Sequence, residues 1–335
     1  MKLIPKRRVL LVDGNNIAWR WTMVKPEDQL KTTTGIVTTV CYGIIESVIK
    51  ANRCLSDLAT SRTKTAQSIH YDDVIICWDA RGQNWRHSIY ADYKANRNDE
   101  KRRQLKAEVM PYIETAQSFL SAINVKQIKV DQLEGDDILA VLAGMYNDAG
   151  WTVTIVSGDK DLWQLLKWGK TIIHDGKDTF RDEGWFRSEY GFSPARWPEA
   201  KALMGDTGDG VPGVRGIGDK LSQAIVQSCG YVPDIDVDAL PKITRFSAKV
   251  KEALKEFVAD GSLLRNYLLV RLTEKLSELR ITGSHLQSFQ NEYSKIAGQA
   301  AIDPSMFMMS LQQYEMKRYI TNFRDVMRSL ALKAV

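Results

Sequence analysis

The chain has 335 residues, 44% of them hydrophobic and 26% charged, with a formal net charge of +5 and a pI near 8.8. That is an ordinary globular balance with length for two domains, or one large one with an appendage. No apolar run approaches the ~18 residues of a membrane span, and the short apolar stretch after the basic start ends in Asp13, which argues against a signal peptide. Cys41, Cys54, Cys77 and Cys229 form no CxxC pair and the four histidines are scattered, so the expectation is reduced thiols, a cytoplasmic location and no zinc site.

Residues 8–13 (RVLLVD) read as a short buried strand ending in an acid. A helical pattern covers 36–58, and 72–79 (DDVIICWD) forms a second strand that again stops at Asp. Residues 81–106 carry eight Lys or Arg against three Asp or Glu, with Trp85, Tyr90 and Tyr93 interleaved. A helix is expected over 105–122, a strand over 125–130 and a helix over 134–149. Residues 152–159 (TVTIVSGD) make a third strand ending in Asp. Helix 160–167, strand 170–174 and helix 194–205 follow. After about residue 210 comes a Gly-rich turn, a connecting loop over 229–242, and helical patterns over 247–260, 262–278 and 306–332.

Strands alternating with helices predict a mainly parallel sheet covered on both faces, with ligands beyond the carboxyl ends of its strands. The acids that end strands or open helices then gather at one edge. They are Asp13, Asp79, Glu134, Asp136, Asp137, Asp159 and Asp161, joined by Asp206 and Asp209 of LMGDTGDG. An Asp pair at a helix start is commonly an N-cap. Nine carboxylates at one edge need counter-charge, and hard oxygen donors without His or Cys suit Mg²⁺ or Mn²⁺. Their number suits two ions acting on phosphorus. In DQLEGDDILAVLA, Glu134 and Asp136 would point about 200° apart on a regular helix. EGDD is therefore expected to be the bend into the helix, with Gly135 permitting the turn, Ile138 onward buried and Asp136 between two ions.

The basic segment leaves directly from the Asp79 strand and should overhang the acids. Cations with interleaved aromatics suit a single strand of nucleic acid, and Arg81, Arg86, Tyr93, Lys94 and Arg97 are its candidate contacts. With the nine proposed ligands set aside, the remaining surface carries roughly +14, which favours phosphate binding. GVRGIGDK (213–220) lacks the spacing of a Walker loop. It fits a turn whose backbone amides hold a phosphate, with Arg215, Gly216, Gly218 and Lys220 as contacts. Met306–Met309 are expected in a core, and residues 310–330 as an amphipathic basic helix.

The order VDGNN, WDARGQNWRHSIYADYKANR, EGDDILAVLA, SGDKDLWQLL, ALMGDTGDGVPGVRGIGDK resembles the flap endonuclease/5′–3′ exonuclease family, over about residues 8–228. The resemblance implies a PIN-like α/β domain over 1–210 with a helical arch at about 81–107. A helical region over 211–335 would hold a helix–two-turn–helix DNA-binding element. It implies divalent-metal-dependent hydrolysis of 5′ flaps and 5′ ends of DNA. RNA in hybrids is a further expectation, because phosphate contacts do not read the sugar; the chain is expected to be a monomer, and its C-terminal helix to pack on the nuclease domain, extend DNA contacts or bind a replication protein. Asp13, Asp79 and Asp136 match one metal site, with Asp137 acting through water. Glu134, Asp159, Asp161, Asp206 and Asp209 match the second. Lys94 and Arg97 would contact the scissile phosphate, Tyr93 would stack on a nucleotide, and K⁺ would sit on carbonyls of Val214 and Ile217. Gly210 stands where the family often has Asn, so a change in loop flexibility is expected there. A PIN-type ribonuclease and a non-catalytic DNA-binding relative are the alternative readings.

Overall fold

Alternate residues of the first strand enter different cores. In β1 (Arg8–Asp13) Val9 and Leu11 belong to one buried cluster and Leu10 and Val12 to the other. The same split separates Ile75 and Cys77 from Val74, Ile76 and Trp78 in β2 (Asp73–Trp78). A strand apolar on both faces is what a sheet covered by helices on both sides requires. The computed structural model describes residues 7–23, 28–63, 71–97, 100–241, 243, 246–279, 283–299 and 303–329.

The sheet also contains β3 (Lys126–Lys129), β4 (Thr152–Val156), β5 (Thr171–His174) and the two-residue β6 (Phe180–Arg181), in the order β3-β2-β1-β4-β5-β6. All pairings are parallel except β5 with β6. The chain runs outward from β1 to β2 and β3, then returns to lay β4 on the other side of β1. The switch in direction therefore falls between β1 and β4, and their carboxyl ends open a crevice there.

One face is covered by α1 (Gly14–Thr22), α2 (Thr39–Thr63) and α3 (Glu100–Ala122). The other is covered by α4 (Gly135–Asp148), whose Ile138–Ala143 are at most 1% exposed. A helix apolar all round must be buried, as its sequence implied. Next come α5 (Glu183–Tyr190), α6 (Trp197–Met204) and the hairpin β7 (Gly205–Asp206)–β8 (Val211–Pro212). The remaining helices on this side are α7 (Asp219–Ser228), α8 (Ala248–Ala259), α9 (Ser262–Val270) and α10 (Gly283–Ala297).

Three expected helices are shorter than their patterns. Residues 160–167 form only a 3₁₀ turn, Asp161–Leu165, and the 262–278 helix ends at Val270. The expected 306–332 helix is three pieces: α11 (Pro304–Gln313), α12 (Lys317–Thr321) and α13 (Phe323–Ser329). The first break lies at Glu315, which has φ 51° and whose carboxylate accepts the Thr33 N–H at 2.9 Å. A distant contact, absent from local periodicity, ends the helix. The pieces pack on α2 and α3: Phe307 and Leu311 are fully buried, and Tyr319 lies 4.8 Å from Tyr42, ring to ring. The expected core run divides, since Met306 and Met309 are 50% and 67% exposed.

Candidate active site

The carboxyl ends of β1, β2 and β4 and the start of α4 converge on the crevice. Asp13 ends β1 and caps α1: its carboxylate accepts the Asn16 N–H at 2.9 Å and the Ser157 hydroxyl at 2.7 Å. Asp79 follows β2 and accepts the Gly135 N–H at 2.7 Å. Asn15 and Asn16 tie the strand ends together, their side-chain oxygens accepting the Asp79 N–H at 2.9 Å and the Gly158 N–H at 3.0 Å. That is the work of the paired asparagines in VDGNN, which the sequence reading left unassigned.

Gly135 serves for a different reason from the one expected. Its φ is not positive; a Cβ there would stand 3.1 Å from the Asp79 carboxylate. The glycine lets α4 begin against the end of β2, and that approach delivers Asp136 to the crevice.

A cavity of about 510 Å³ results, and eight of the nine proposed acids line it: Asp13, Asp79, Glu134, Asp136, Asp159, Asp161, Asp206 and Asp209. Burial, with the neighbouring Asp79 and Asp159 charges, lifts the Asp13 carboxyl to about 7. Burial and then Glu134 raise Asp79. Burial, Asp159, Asp13 and Asp79 raise Asp136 well above the usual carboxylate range. Burial also lifts Asp161 to about 7, against its ion pair with Lys201. Burial and mutual repulsion both disfavour the charged forms, and a cation among them would relieve the repulsion.

The other acids are partly neutralised by the protein. Lys94 Nζ lies 2.5 Å from Glu134 and 3.8 Å from Asp209, and Arg97 pairs with Asp209. Although Glu134 is buried, Arg86 and Lys94 bring it down to about 2. Lys201 bridges Asp161 at 2.9 Å and Asp206 at 2.6 Å. It stands five residues before Asp206, yet no motif marked it. Among the described residues no three Asp, Glu, His or Cys side chains are gathered tightly enough to hold an ion as they stand. Lys94, Arg97 and Lys201 occupy part of the space that such ligands would converge on.

Three expected roles are corrected. Asp137 does not line the cavity; it is fully buried and forms a two-pronged ion pair with Arg86, both contacts at 2.8 Å. It also accepts from the Trp85 indole at 3.2 Å and the Glu134 N–H at 3.1 Å. Arg86, expected on nucleic acid, is 2% exposed and donates its Nε–H to the Leu269 carbonyl at 2.8 Å. Tyr93, expected to stack on a base, is 4% exposed and donates its hydroxyl to Asp209 at 2.8 Å.

Lys94 has φ 58°, a conformation uncommon outside glycine, and its N–H is held by the Asp209 carbonyl at 2.7 Å. Arg97 also lines the cavity and its side chain is 50% exposed. Arg81 is on the surface, paired with Glu114. Arg215, Gly216, Gly218 and Lys220 are exposed at the entry to α7, outside the cavity. Gly216 has φ 89°, while Gly218 is the N-cap of α7. Val214 and Ile217 bury their side chains, and the Val214 carbonyl accepts the Ile217 N–H at 3.0 Å. Gly210 has φ 70°, a left-handed position that Gly and Asn both tolerate, so the exchange keeps the loop's shape.

The chain matches the family model described as "5′-3′ exonuclease, N-terminal resolvase-like domain" over residues 8–191. Residues 192–292 match "5′-3′ exonuclease, C-terminal SAM fold". It is 30% identical over 258 residues to a thermostable DNA polymerase I of Thermus thermophilus, covering 77% of this chain and 27% of that one. To DNA polymerase I of Bacillus subtilis it is 28% identical over 295 residues, covering 87% of this chain and 31% of that one. The chain thus spans less than a third of these relatives' length. Among solved structures it resembles the bacteriophage T5 flap endonuclease in a pseudo-enzyme-product complex with DNA and metal ions (TM-score 0.65, 21% identity, 88% of this chain and 100% of that one). It also resembles the T5 5′-exonuclease with bound divalent zinc (TM-score 0.65, 22% identity, 87% and 100% covered). The likeness is one of fold: a resolvase-like, mostly parallel sheet followed by a helical SAM-like region.

Proposed function

The chain belongs to the 5′–3′ exonuclease family, and on that premise we propose that it is a structure-specific 5′ nuclease hydrolysing phosphodiesters of DNA at 5′ flaps and 5′ ends. The observation that carries this reading is the crevice itself: eight carboxylates around one cavity, four of them raised by burial and by their neighbours' charges.

An all-oxygen, strongly anionic donor set fits hard divalent cations. Asp13, Asp79 and Asp136 would hold one ion, and Asp136, Glu134, Asp159, Asp161, Asp206 and Asp209 a second, of Mg²⁺ or Mn²⁺. Bound there, such ions activate water and offset charge on the transferring phosphoryl group. Lys94 and Arg97 receive the scissile phosphate, exchanging a carboxylate for a phosphate oxygen. Tyr93, its hydroxyl kept protonated by burial, holds Glu134 and Asp209 in place. The Arg86–Asp137 pair fixes the root of the arch to α4 and, through Leu269, to the helical region. We keep the functional boundary near residue 210, because Asp206 and Asp209 line the same cavity as the sheet acids.

Arg215 and Lys220 are assigned to duplex phosphates, with Gly216 and Gly218 leaving the backbone accessible, and carbonyls of Val214 and Ile217 to K⁺. RNA in RNA–DNA hybrids, a monomeric state, a cytoplasmic location and contact with replication proteins through the C-terminal region belong to the same reading. The test compares a 5′-labelled flap, a pseudo-Y, an RNA-primed hybrid and a closed circle in Mg²⁺. The first three should be cut and the circle spared. Asp159→Asn should abolish cutting while flap binding in EDTA survives. Cutting of the closed circle at the flap's rate would contradict the need for a 5′ end.

A further inference from the structure

A second cavity of about 510 Å³ adjoins the catalytic one on the β4–β5 side, away from the arch. Asn16, Trp19, Gly158 and Lys160 form a wall common to both cavities. Its lining is chemically the opposite of the catalytic crevice. Arg20, Lys160, Lys177 and Arg181 are cationic, and the half-buried Trp19 adds aromatic surface, while Trp163 is buried beneath the lining. The one acid, Asp175, is turned inward on its own loop, where its carboxylate accepts the N–H groups of Lys177, Asp178 and Thr179 at 2.8–3.1 Å.

Most of these cations lack a carboxylate partner. Arg20 is the structural one, donating to the Asp175 and Gly176 carbonyls at 2.6 and 3.3 Å. Among the described residues, Lys160, Lys177 and Arg181 make no ion pair. Arg181 instead lies over the Trp185 ring at 4.8 Å and the Trp163 ring at 5.8 Å, and Lys160 over Trp163 at 5.4 Å. The Arg181 Nε is buried without a hydrogen-bond partner. A buried guanidinium donor without an acceptor costs stability, unless a ligand supplies one.

Cations without ion-pair partners around an open cavity, with the Trp19 ring in its wall, match the recognition of single strands, in which cations track phosphates and rings take bases. We infer that the β4–β5 cavity binds a short stretch of single-stranded nucleic acid, on the far side of the scissile phosphate from the arch. The strand would cross the crevice at the β1–β4 switch, over the Gly158–Lys160 ridge. Catalytic assignments are unaffected, since no proposed ligand lines this cavity. The inference rests on the proposed nuclease reading for its placement on a substrate, though binding is testable without cleavage.

The test is anisotropy titration of the full chain with a labelled oligothymidylate and with a blunt hairpin duplex, in EDTA across a salt series. Lys177→Gln, Arg181→Gln and the double variant are compared with the wild type. The double variant should bind the single strand about tenfold more weakly, with its log–log salt slope reduced by about 1.4, or ~0.7 per removed contact. Duplex affinity should stay within about twofold. Lys177 is exposed, so Lys177→Gln, which cannot disturb the tryptophan packing, should alone reduce the slope by about half that amount. Unchanged affinity and slope, or an equal loss on the duplex, would overturn the site. A failure of the wild type to cut flaps would count against the nuclease reading and leave this binding result standing.

Discussion

At the scale of residues, the adjacent acids Asp136 and Asp137 have opposite tasks, and their substitutions should have opposite signs. Asp137→Asn strands the buried Arg86 guanidinium, and breaking such a pair costs about 3–5 kcal/mol. Its melting temperature in EDTA should fall by many degrees. Asp136→Asn replaces a carboxyl whose charged form burial and then Asp159, Asp13 and Asp79 disfavour, so without divalent ions it should melt no lower than the wild type. Lys94→Ala should slow single-turnover flap cleavage roughly 10²-fold or more, the scale of losing one charge-stabilising donor. A change under about threefold would contradict its role. Away from the site, burial depresses the His174 imidazole to about 4. The unfolded ring protonates near 6.5 and the folded ring resists, so its stabilisation is full above about pH 6.5 and lost as pH falls towards 4, by up to ~3 kcal/mol. Denaturant titrations of His174→Asn should show a shallower acid-side loss than the wild type. The acids themselves were legible in the sequence because they end strands or open a helix. Asp137 was misassigned because spacing cannot say which of two adjacent acids faces a cavity, and the partner that decides it, Arg86, is 51 positions away.

Elements whose signals are local were the most legible. Strands 8–13, 72–79 and 152–159 announce themselves by a buried run closed by Asp, and α4 by an apolar run with an acidic start. The broken C-terminal helix was not legible, since Glu315 stops it through Thr33 rather than through any Gly or Pro. Nor was β6, only two residues long. The β7–β8 hairpin depends on a close approach: a Cβ on Gly213 would lie 2.0 Å from the Met204 carbonyl oxygen and 2.6 Å from the Gly205 nitrogen. Both are backbone atoms that cannot step aside. Gly213→Ala should therefore spread the hairpin that carries Asp206 and Asp209, lowering the melting temperature and, at temperatures where the variant is folded, the cleavage rate. Wild-type values on both measures would show that the hairpin does not set the two acids.

For the molecule as a whole, the division of charge is the organising feature. Eight acids line the crevice at the β1–β4 switch, and with them set aside the rest of the chain carries roughly +13, so flap binding in EDTA should weaken steeply and log-linearly with salt. Neither family-matched region completes the crevice alone: the sheet brings Asp13, Asp79, Asp136 and Asp159, and the region after residue 191 brings Lys201, Asp206 and Asp209. The sequence order of motifs could announce the acids and the arm's cations, but not that Arg86 pairs with Asp137, nor Lys201, which no motif marks. On the proposed reading, this crevice gathers divalent ions to cut a phosphodiester. The most direct test is single-turnover cleavage of a 5′-labelled flap by the wild type and by Asp136→Asn, each in Mg²⁺ and in EDTA. Cutting by the wild type in Mg²⁺ alone, with Asp136→Asn folded yet inactive in both, is the expected result; undiminished turnover in EDTA, or by Asp136→Asn, would contradict it.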